Sequence, residues 1–281
     1  MLLVLRLIAR APLQLLHALG SVLGWTIYGM SPTYRRHLRD NLAAAGYGDS
    51  RVRNGAIASA GRMIMELPAL WFRPHDEVVA LVKSVEGAEE AYAAQRAGKA
   101  LLFLTPHMGA FEIASLYAAR DMPITVLYRR PKVGWTEPLM KAGRGRTNVR
   151  LVPADLTGVR EMFAALKRRE AVGFLPDQVP GTGEGEWSEF FGRPAYTMTL
   201  AAKLAERDNV APFLAFARRL PRGEGYSIHV RPLPAPLPGE RATRRINRAL
   251  EALVRECPEQ YLWGYNRYKI PKGASAPPPP K

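Results

Sequence analysis

The chain has 281 residues, 47% of them hydrophobic, enough to bury a sizeable core within one domain of ordinary to large size. Lys and Arg outnumber Asp and Glu by 40 to 25, a net charge of +15 that attracts anionic lipid, nucleic acid or an acidic carrier protein without choosing among them. The single cysteine, Cys257, excludes an intramolecular disulfide framework and leaves the redox compartment undetermined.

The first feature in chain order is the run from Ala11 to Met30, which contains no Lys, Arg, Asp or Glu. As a helix it is roughly 30 Å long, about the thickness of a bilayer core. A cleaved signal peptide is the plainer reading of such a run, but no clear small-x-small site is followed by a change to mature-like sequence. Gln14, His17, Ser21, Gly24 and Tyr28 recur on one stripe, opposite Leu15, Leu16, Leu19, Val22, Leu23 and Ile27, so the segment is amphipathic. Three roles stay open for it: lying in a membrane interface, docking its small-residue stripe on another helix, or covering a soluble core. Basic residues flank both ends (Arg6, Arg10; Arg35, Arg36, Arg39) and give no orientation.

Ser31-Pro32 supplies a cap and a first-turn proline for a second helix, Tyr34 to Ala45, ending at Gly46, and a third helix is expected from Arg51 to Leu67. Short apolar runs then alternate with helical stretches, the pattern of an α/β fold with a mostly parallel mixed sheet flanked by helices. The expected strands are Ala100–Thr105, Ile124–Tyr128, Val149–Val152, Ala171–Leu175, Ala211–Phe216 and Tyr226–Val230. Glu89–Arg96, Phe111–Ala119, Thr157–Arg168 and Thr197–Arg207 read as helices between them, and the turn Pro221–Gly225 makes the last two strands an antiparallel hairpin. A final helix is expected from Arg241 to Arg255, with Arg241, Arg244, Arg245 and Arg248 on one face, followed by the aromatic segment Tyr261–Tyr268, read as a strand or edge packed on the core. The expected organisation is an N-terminal helix over residues 1–30, with membrane association among its roles, one main domain over 31–270 and a disordered Pro-rich tail over 271–281.

The stretch with chemical content is Thr105-Pro106-His107-Met108-Gly109-Ala110-Phe111-Glu112. Proline disfavours a helical conformation at Thr105, so an apolar strand ends there and His107 stands in the turn before the next helix. In open α/β sheets that exit faces a ligand crevice. His107 and Glu112, five apart, cannot meet on a straight helix, but a turn at His107 lets the carboxylate of Glu112 fold back and orient the imidazole. Such a pair is what activation of a hydroxyl requires: the imidazole takes the proton, and the carboxylate fixes its tautomer. The plainer alternative is a capping histidine beside a first-turn glutamate. A metal site is a weaker rival, because His17, His37, His75 and His229 show no ligand spacing around the motif. Trp187, Phe190 and Phe191 are candidates to line an apolar tunnel or to touch membrane, local packing being the commoner use of such aromatics.

The chain resembles the late acyltransferases of lipid A biosynthesis (lauroyl and myristoyl acyltransferases), within the broader lysophospholipid acyltransferase superfamily that shares His-x-x-x-x-Asp/Glu. The resemblance runs in order through Ser31-Pro32, Arg35-Arg36, Asp40-Asn41-Leu42, Pro106–Glu112, Leu127-Tyr128-Arg129, Asp177-Gln178, Phe190-Phe191-Gly192-Arg193-Pro194-Ala195 and Gln260-Tyr261-Leu262-Trp263. Pro176-Asp177-Gln178 stands where the glycerolipid branch carries Pro-Glu-Gly, which favours the lipid A branch. Ala110-Phe111 replaces the family's usual Asn-Trp.

The resemblance implies secondary acylation of a lipid A precursor at the bacterial inner membrane, with the catalytic domain facing the cytoplasm. His107 would act as general base with Glu112, and an acyl carrier protein thioester would be the donor. Arg129, Arg130, Asp177 and Gln178, at strand exits, would bind substrate, Arg offering a forked donor set to phosphate. The expected partners are the carrier protein, an anionic glycolipid and the membrane surface. No metal or other cofactor is expected, since acyl transfer from a thioester needs a base and oxyanion donors. Acylation of another lysolipid or glycolipid is the near alternative. A non-catalytic membrane-surface module would leave the exported histidine idle, and a nucleic-acid-binding protein lacks a recognised motif, so no nucleic acid is expected.

Overall fold

The computed structural model describes residues 2–131, 134–146 and 148–278; the end of the Pro-rich tail, residues 279–281, lies outside them. Four helices come first: α1 (Leu2–Ala9), α2 (Leu13–Met30), α3 (Pro32–Ala44) and α4 (Ser50–Phe72). The chain continues through α5 (His75–Val79), β1 (Val82–Glu86), α6 (Glu89–Arg96), β2 (Ala100–Leu104), α7 (Phe111–Ala118), β3 (Ile124–Tyr128), α8 (Thr136–Arg144), β4 (Val149–Pro153), α9 (Leu156–Lys167) and β5 (Ala171–Phe174). A hairpin of β6 (Gly185–Phe190) and β7 (Arg193–Met198) leads to α10 (Thr199–Ala205), β8 (Val210–Arg219), β9 (Tyr226–Pro232) and α11 (Ala242–Glu256).

Seven strands form one sheet in the order β1-β9-β8-β2-β5-β3-β4. The pairs β8–β2, β2–β5, β5–β3 and β3–β4 are parallel, β8 and β9 pair antiparallel, and β1 runs parallel to β9. This is the mostly parallel mixed sheet that the alternating apolar runs predicted. Central strands such as Leu101-Leu102 and Ala171–Phe174 are buried on both faces, as a sheet covered by helices on each side requires. One apolar cluster, including Leu102, Leu104, Val172 and Phe174, packs under α9, α10 and α11; the other, including Leu101, Ile113, Leu116 and Ile124, packs under α6 and α7. Burying one such side chain is worth roughly 1.5–3 kcal/mol.

Three elements depart from expectation. The helix expected to stop at Leu67 runs through Pro68 to Phe72. Ala69 and Leu70 are fully buried there, and the Arg146 guanidinium donates to the carbonyls of Leu70, Trp71 and Arg73, satisfying the helix end. The segment from Thr197, expected to be helical, begins as the last residues of β7, and the Trp187–Phe191 aromatics belong to a hairpin. Phe190 and Phe191 pack against Tyr261 and Trp263, not into a tunnel. The segment from Tyr261 to Tyr268 is irregular; Tyr261 makes one bridge to Met108, and Tyr261 and Trp263 are buried.

The N-terminal run breaks into α1 and α2, bent by 116°, and among the described residues no single helix is long and apolar enough to cross a membrane. The small stripe of α2 faces inward: His17, Gly20, Gly24 and Tyr28 are buried. A Cβ on Gly24 would meet the Ile57 carbonyl at 2.1 Å, and one on Gly61 would meet the Gly20 carbonyl at 1.9 Å. Close backbone contact therefore presses α2 along α4, and Leu15, Leu19, Val22, Trp25 and Met30 are left exposed.

Candidate active site

The chain leaving β2 passes through Thr105 and Pro106 and turns at His107 before α7 begins. Backbone bonds hold this loop from several sides. Thr105 N–H donates to Phe174, Gly109 N–H to Gln260, Ala110 N–H to Ala217 and Leu262 N–H to His107. Gly109 has φ +57°, and a Cβ there would meet the Ala217 carbonyl at 2.0 Å, so only glycine lets the loop lie this close to β8. Beneath it, the fully buried Arg219 donates to the Gly109 carbonyl at 2.7 Å, to Ser59 and to both oxygens of buried Glu66. Glu66 also meets His17 of α2 and Tyr226 of β9. Burial opposes the charge on Glu66, but Arg219 and His17 outweigh it and hold its carboxyl below the usual value.

Asp177 follows β5, the neighbour of β2, and its carboxylate faces the loop. His107 Nδ1 lies 2.7 Å from Asp177 Oδ1, and the His107 backbone N–H donates to Oδ2 at 2.9 Å. Asp177 is almost wholly buried. Burial alone would raise its pKa, but the charge and hydrogen bonds of His107, with the nearby Arg267, hold it below the usual carboxylate value. An ionised carboxylate only accepts, so the neutral imidazole carries its proton on Nδ1 and exposes a lone pair on Nε2. Gln178 Nε2 sits 3.1 Å from that atom as donor.

Glu112 does not occupy the place expected of it beside the imidazole. In the first turn of α7, its carboxylate takes a bidentate bond from Arg144 of α8, 2.7 Å at Nε, and a bond from Trp71 Nε1 at 3.3 Å. The reason is the direction of α7: its first turn aims Glu112 toward α4 and α8, while the preceding loop turns His107 toward β5. The sheet order, which sets β5 beside β2, brings Asp177 to the imidazole. Sequence spacing held no signal of that adjacency. Asp177 was legible as a residue at a strand exit, and Arg144, Arg219 and Glu66 were not singled out.

His107 and Glu112 nevertheless share one cavity of about 330 Å³. Gln178, Arg129 and Arg144 also line it near the strand exits, and its interior is formed by apolar side chains of the sheet and α7. Arg130 points away, to the surface, 3.9 Å from Asp155. The basic face of α11 is largely engaged within the chain: Arg244 pairs with Glu251, Arg248 with Glu240, and Arg245 donates to the Pro234 carbonyl. Among the described residues no group of three or more His, Cys, Asp or Glu side chains is arranged to hold a metal ion.

An imidazole at a strand exit, opening into an apolar cavity beneath a covering helix, is the layout of an α/β acyltransferase. The chain belongs to the bacterial lipid A biosynthesis acyltransferase family, whose model matches residues 1–270. It is 27% identical over 222 residues to the lipid A biosynthesis palmitoleoyltransferase of Escherichia coli, covering 78% of this chain and 72% of that one. With the lauroyltransferase of the same organism it shares 27% over 223 residues, 76% and 71% of the two chains. A lipid A biosynthesis acyltransferase of Haemophilus influenzae is 24% identical over 182 residues, 63% of this chain and 56% of that one.

Proposed function

We propose that this acyltransferase moves a fatty acyl group from an acyl carrier protein thioester to a hydroxyl of a lipid A precursor, with His107 as general base. The carrying observation is the imidazole whose Nδ1 is fixed by Asp177 and whose Nε2 borders the apolar cavity. The acceptor hydroxyl takes the place of the Gln178 amide at Nε2 and gives up its proton there. Its oxygen attacks the thioester carbonyl, the displaced Gln178 amide donates to the oxyanion, and the carbon–sulfur bond breaks. The thiolate leaves with the proton returned by the imidazolium. Asp177 keeps the ring in the reactive tautomer and stabilises its charged form.

Glu112 serves this reaction through Arg144, which it holds at the cavity wall. Arg144 and Arg129 then present two guanidinium groups to phosphate on the acceptor or on the donor's prosthetic arm. The apolar outer face of α1 and α2, which includes Leu3, Val4, Leu7, Leu19, Val22 and Trp25, lies in the cytoplasmic leaflet of the inner membrane, where the flanking arginines meet anionic headgroups. The packing of the inner face of α2 along α4 supports a helix that lies on the membrane and not through it.

The test is thioester cleavage with and without lipid acceptor. The proposal requires acceptor-dependent release of the carrier thiol, abolished by His107→Ala with vesicle binding intact. Turnover that survives His107→Ala removes the proposed base.

A further inference from the structure

A central strand is a poor place for glycine, which brings no side chain to the core and marks a site where something else approaches. Gly173 is the third residue of β5, inside the sheet, in register with Phe103 of β2 on one side and Val126 of β3 on the other. All three line the cavity. Strand alternation places Gly173 on the same face as Ala171 and Leu175, while Val172 and Phe174 point into the opposite core.

Depth along the cavity follows the strand register. Thr105 and Leu175 line it at the strand exits beside His107. Gly173 is two residues further in, roughly 6.6 Å. Ile124, in register with Ala171, and Met122 line it deeper still. A Cβ at position 173 would already lie 3.3 Å from the Val126 side chain and 3.5 Å from that of Ile124, so a longer side chain must push these cavity-lining neighbours, or its own atoms, into the void. Residue 173 itself contributes no side chain at this level, where Val126 and Ile124 of the neighbouring strand line the cavity.

We infer that Gly173 sets the length of the acyl chain this enzyme accepts. The distal methylenes of the donor pass over its bare backbone to reach the Ile124–Met122 end, and a side chain there would stop them midway. The inference rests on the reading of this cavity as the acyl-donor site.

The test gives the enzyme a series of saturated acyl thioesters of increasing length on one carrier protein, with the acceptor held fixed, and reads the ratio of kcat/KM for the longest efficient donor to that for a shorter one. Because a ratio is read, a general loss of activity does not obscure it. Gly173→Val is expected to lower the ratio by about tenfold or more, the discrimination a pocket makes over a methylene or two. Gly173→Ala, which adds one methyl group, shifts it by a smaller step in the same direction and keeps the test open if the valine variant fails to fold. An unaltered length profile in an active variant overturns the role of Gly173 and leaves the acyl-donor reading standing. If the unmodified enzyme transfers no acyl group from any donor, that reading falls and takes the inference with it.

Discussion

The Nδ1 atom of His107 and the Oδ1 atom of Asp177, 70 residues apart in the chain, are 2.7 Å apart in space. A second bond, from the backbone N–H of His107 to the other oxygen, fixes the carboxylate against rotation. Replacing Asp177 by Asn keeps the size but allows the opposite tautomer, in which Nε2 carries the proton and cannot accept one. A fall in kcat of roughly 10²- to 10⁴-fold is expected, with a much smaller change in donor KM. Steady-state kinetics of Asp177→Asn beside Glu112→Gln decides which carboxylate serves the base: if only the Glu112 variant loses kcat, the assignment to Asp177 is wrong.

The direction of the Asp177 shift fixes its contribution across pH. Its folded pKa lies below the ordinary 3.8, so the stabilisation from its charge is fully present above that value and is lost only as pH falls through the lower folded one. Asp177 therefore adds no ionisation step to the rate profile above the ordinary carboxylate range. The carboxyl carbon of Asp177, followed by carbon NMR from pH 7 down to the ordinary carboxylate value, should stay at its ionised position, and a shift within that window would show it titrating there.

Much of this was legible in the chain before any coordinates. Apolar runs bounded by turn residues marked six of the strands, because a sheet covered on both faces needs uninterrupted Val, Leu, Ile and Phe. Proline after Thr105 placed His107 at a strand exit, where it stands. The carboxylate beside it was not legible as its partner, since the adjacency of β2 and β5 is a property of sheet order and no local pattern encodes it. The β6–β7 hairpin was missed for a related reason: Gly185–Phe190 is too short and too polar to show a clear period. The small-residue stripe of α2 was visible, but which of its two faces turned inward depended on Gly20, Gly24 and Gly61 meeting across helices.

Glu66 and Arg219 connect the N-terminal helices to the catalytic loop. Arg219 is fully buried, so Glu66→Gln leaves its charge uncompensated and is expected to destabilise the fold by about 3–5 kcal/mol. The Glu66 carboxyl is held below its ordinary 4.5. Its contribution is therefore complete above that pH and declines as pH falls through the lowered value. Urea midpoints measured from pH 7 downward should drop for the native chain and drop less for Glu66→Gln. Parallel curves would deny the pair this role.

Glu112 and Arg144 make an ion pair at the cavity wall, and it is only partly exposed on the arginine side. If Glu112 acts by placing Arg144, then Glu112→Gln and Arg144→Met should each raise the KM for the lipid acceptor, and the double variant should be little worse than either single one. A coupling energy of about 0.5–3 kcal/mol is the range for groups in direct contact. Additive losses would mean that the two side chains serve the reaction separately.

The outer face of α2 yields a prediction independent of chemistry. Val22 and Trp25 are exposed on a helix whose opposite face is locked to α4, so replacing both by Asp leaves that packing in place and gives up an edge contact between the Trp25 and Tyr28 rings. Each buried apolar side chain is worth roughly 1.5–3 kcal/mol on transfer out of water. A tenfold change in affinity corresponds to about 1.4 kcal/mol, so the double variant should bind anionic vesicles at least tenfold more weakly. Its melting temperature should hardly move. Cosedimentation with vesicles of phosphatidylglycerol and phosphatidylethanolamine reads the first quantity and thermal unfolding without lipid reads the second. Unchanged binding would leave the arginines as the sole membrane contact, and binding should then vanish at high salt, where a seated apolar face persists.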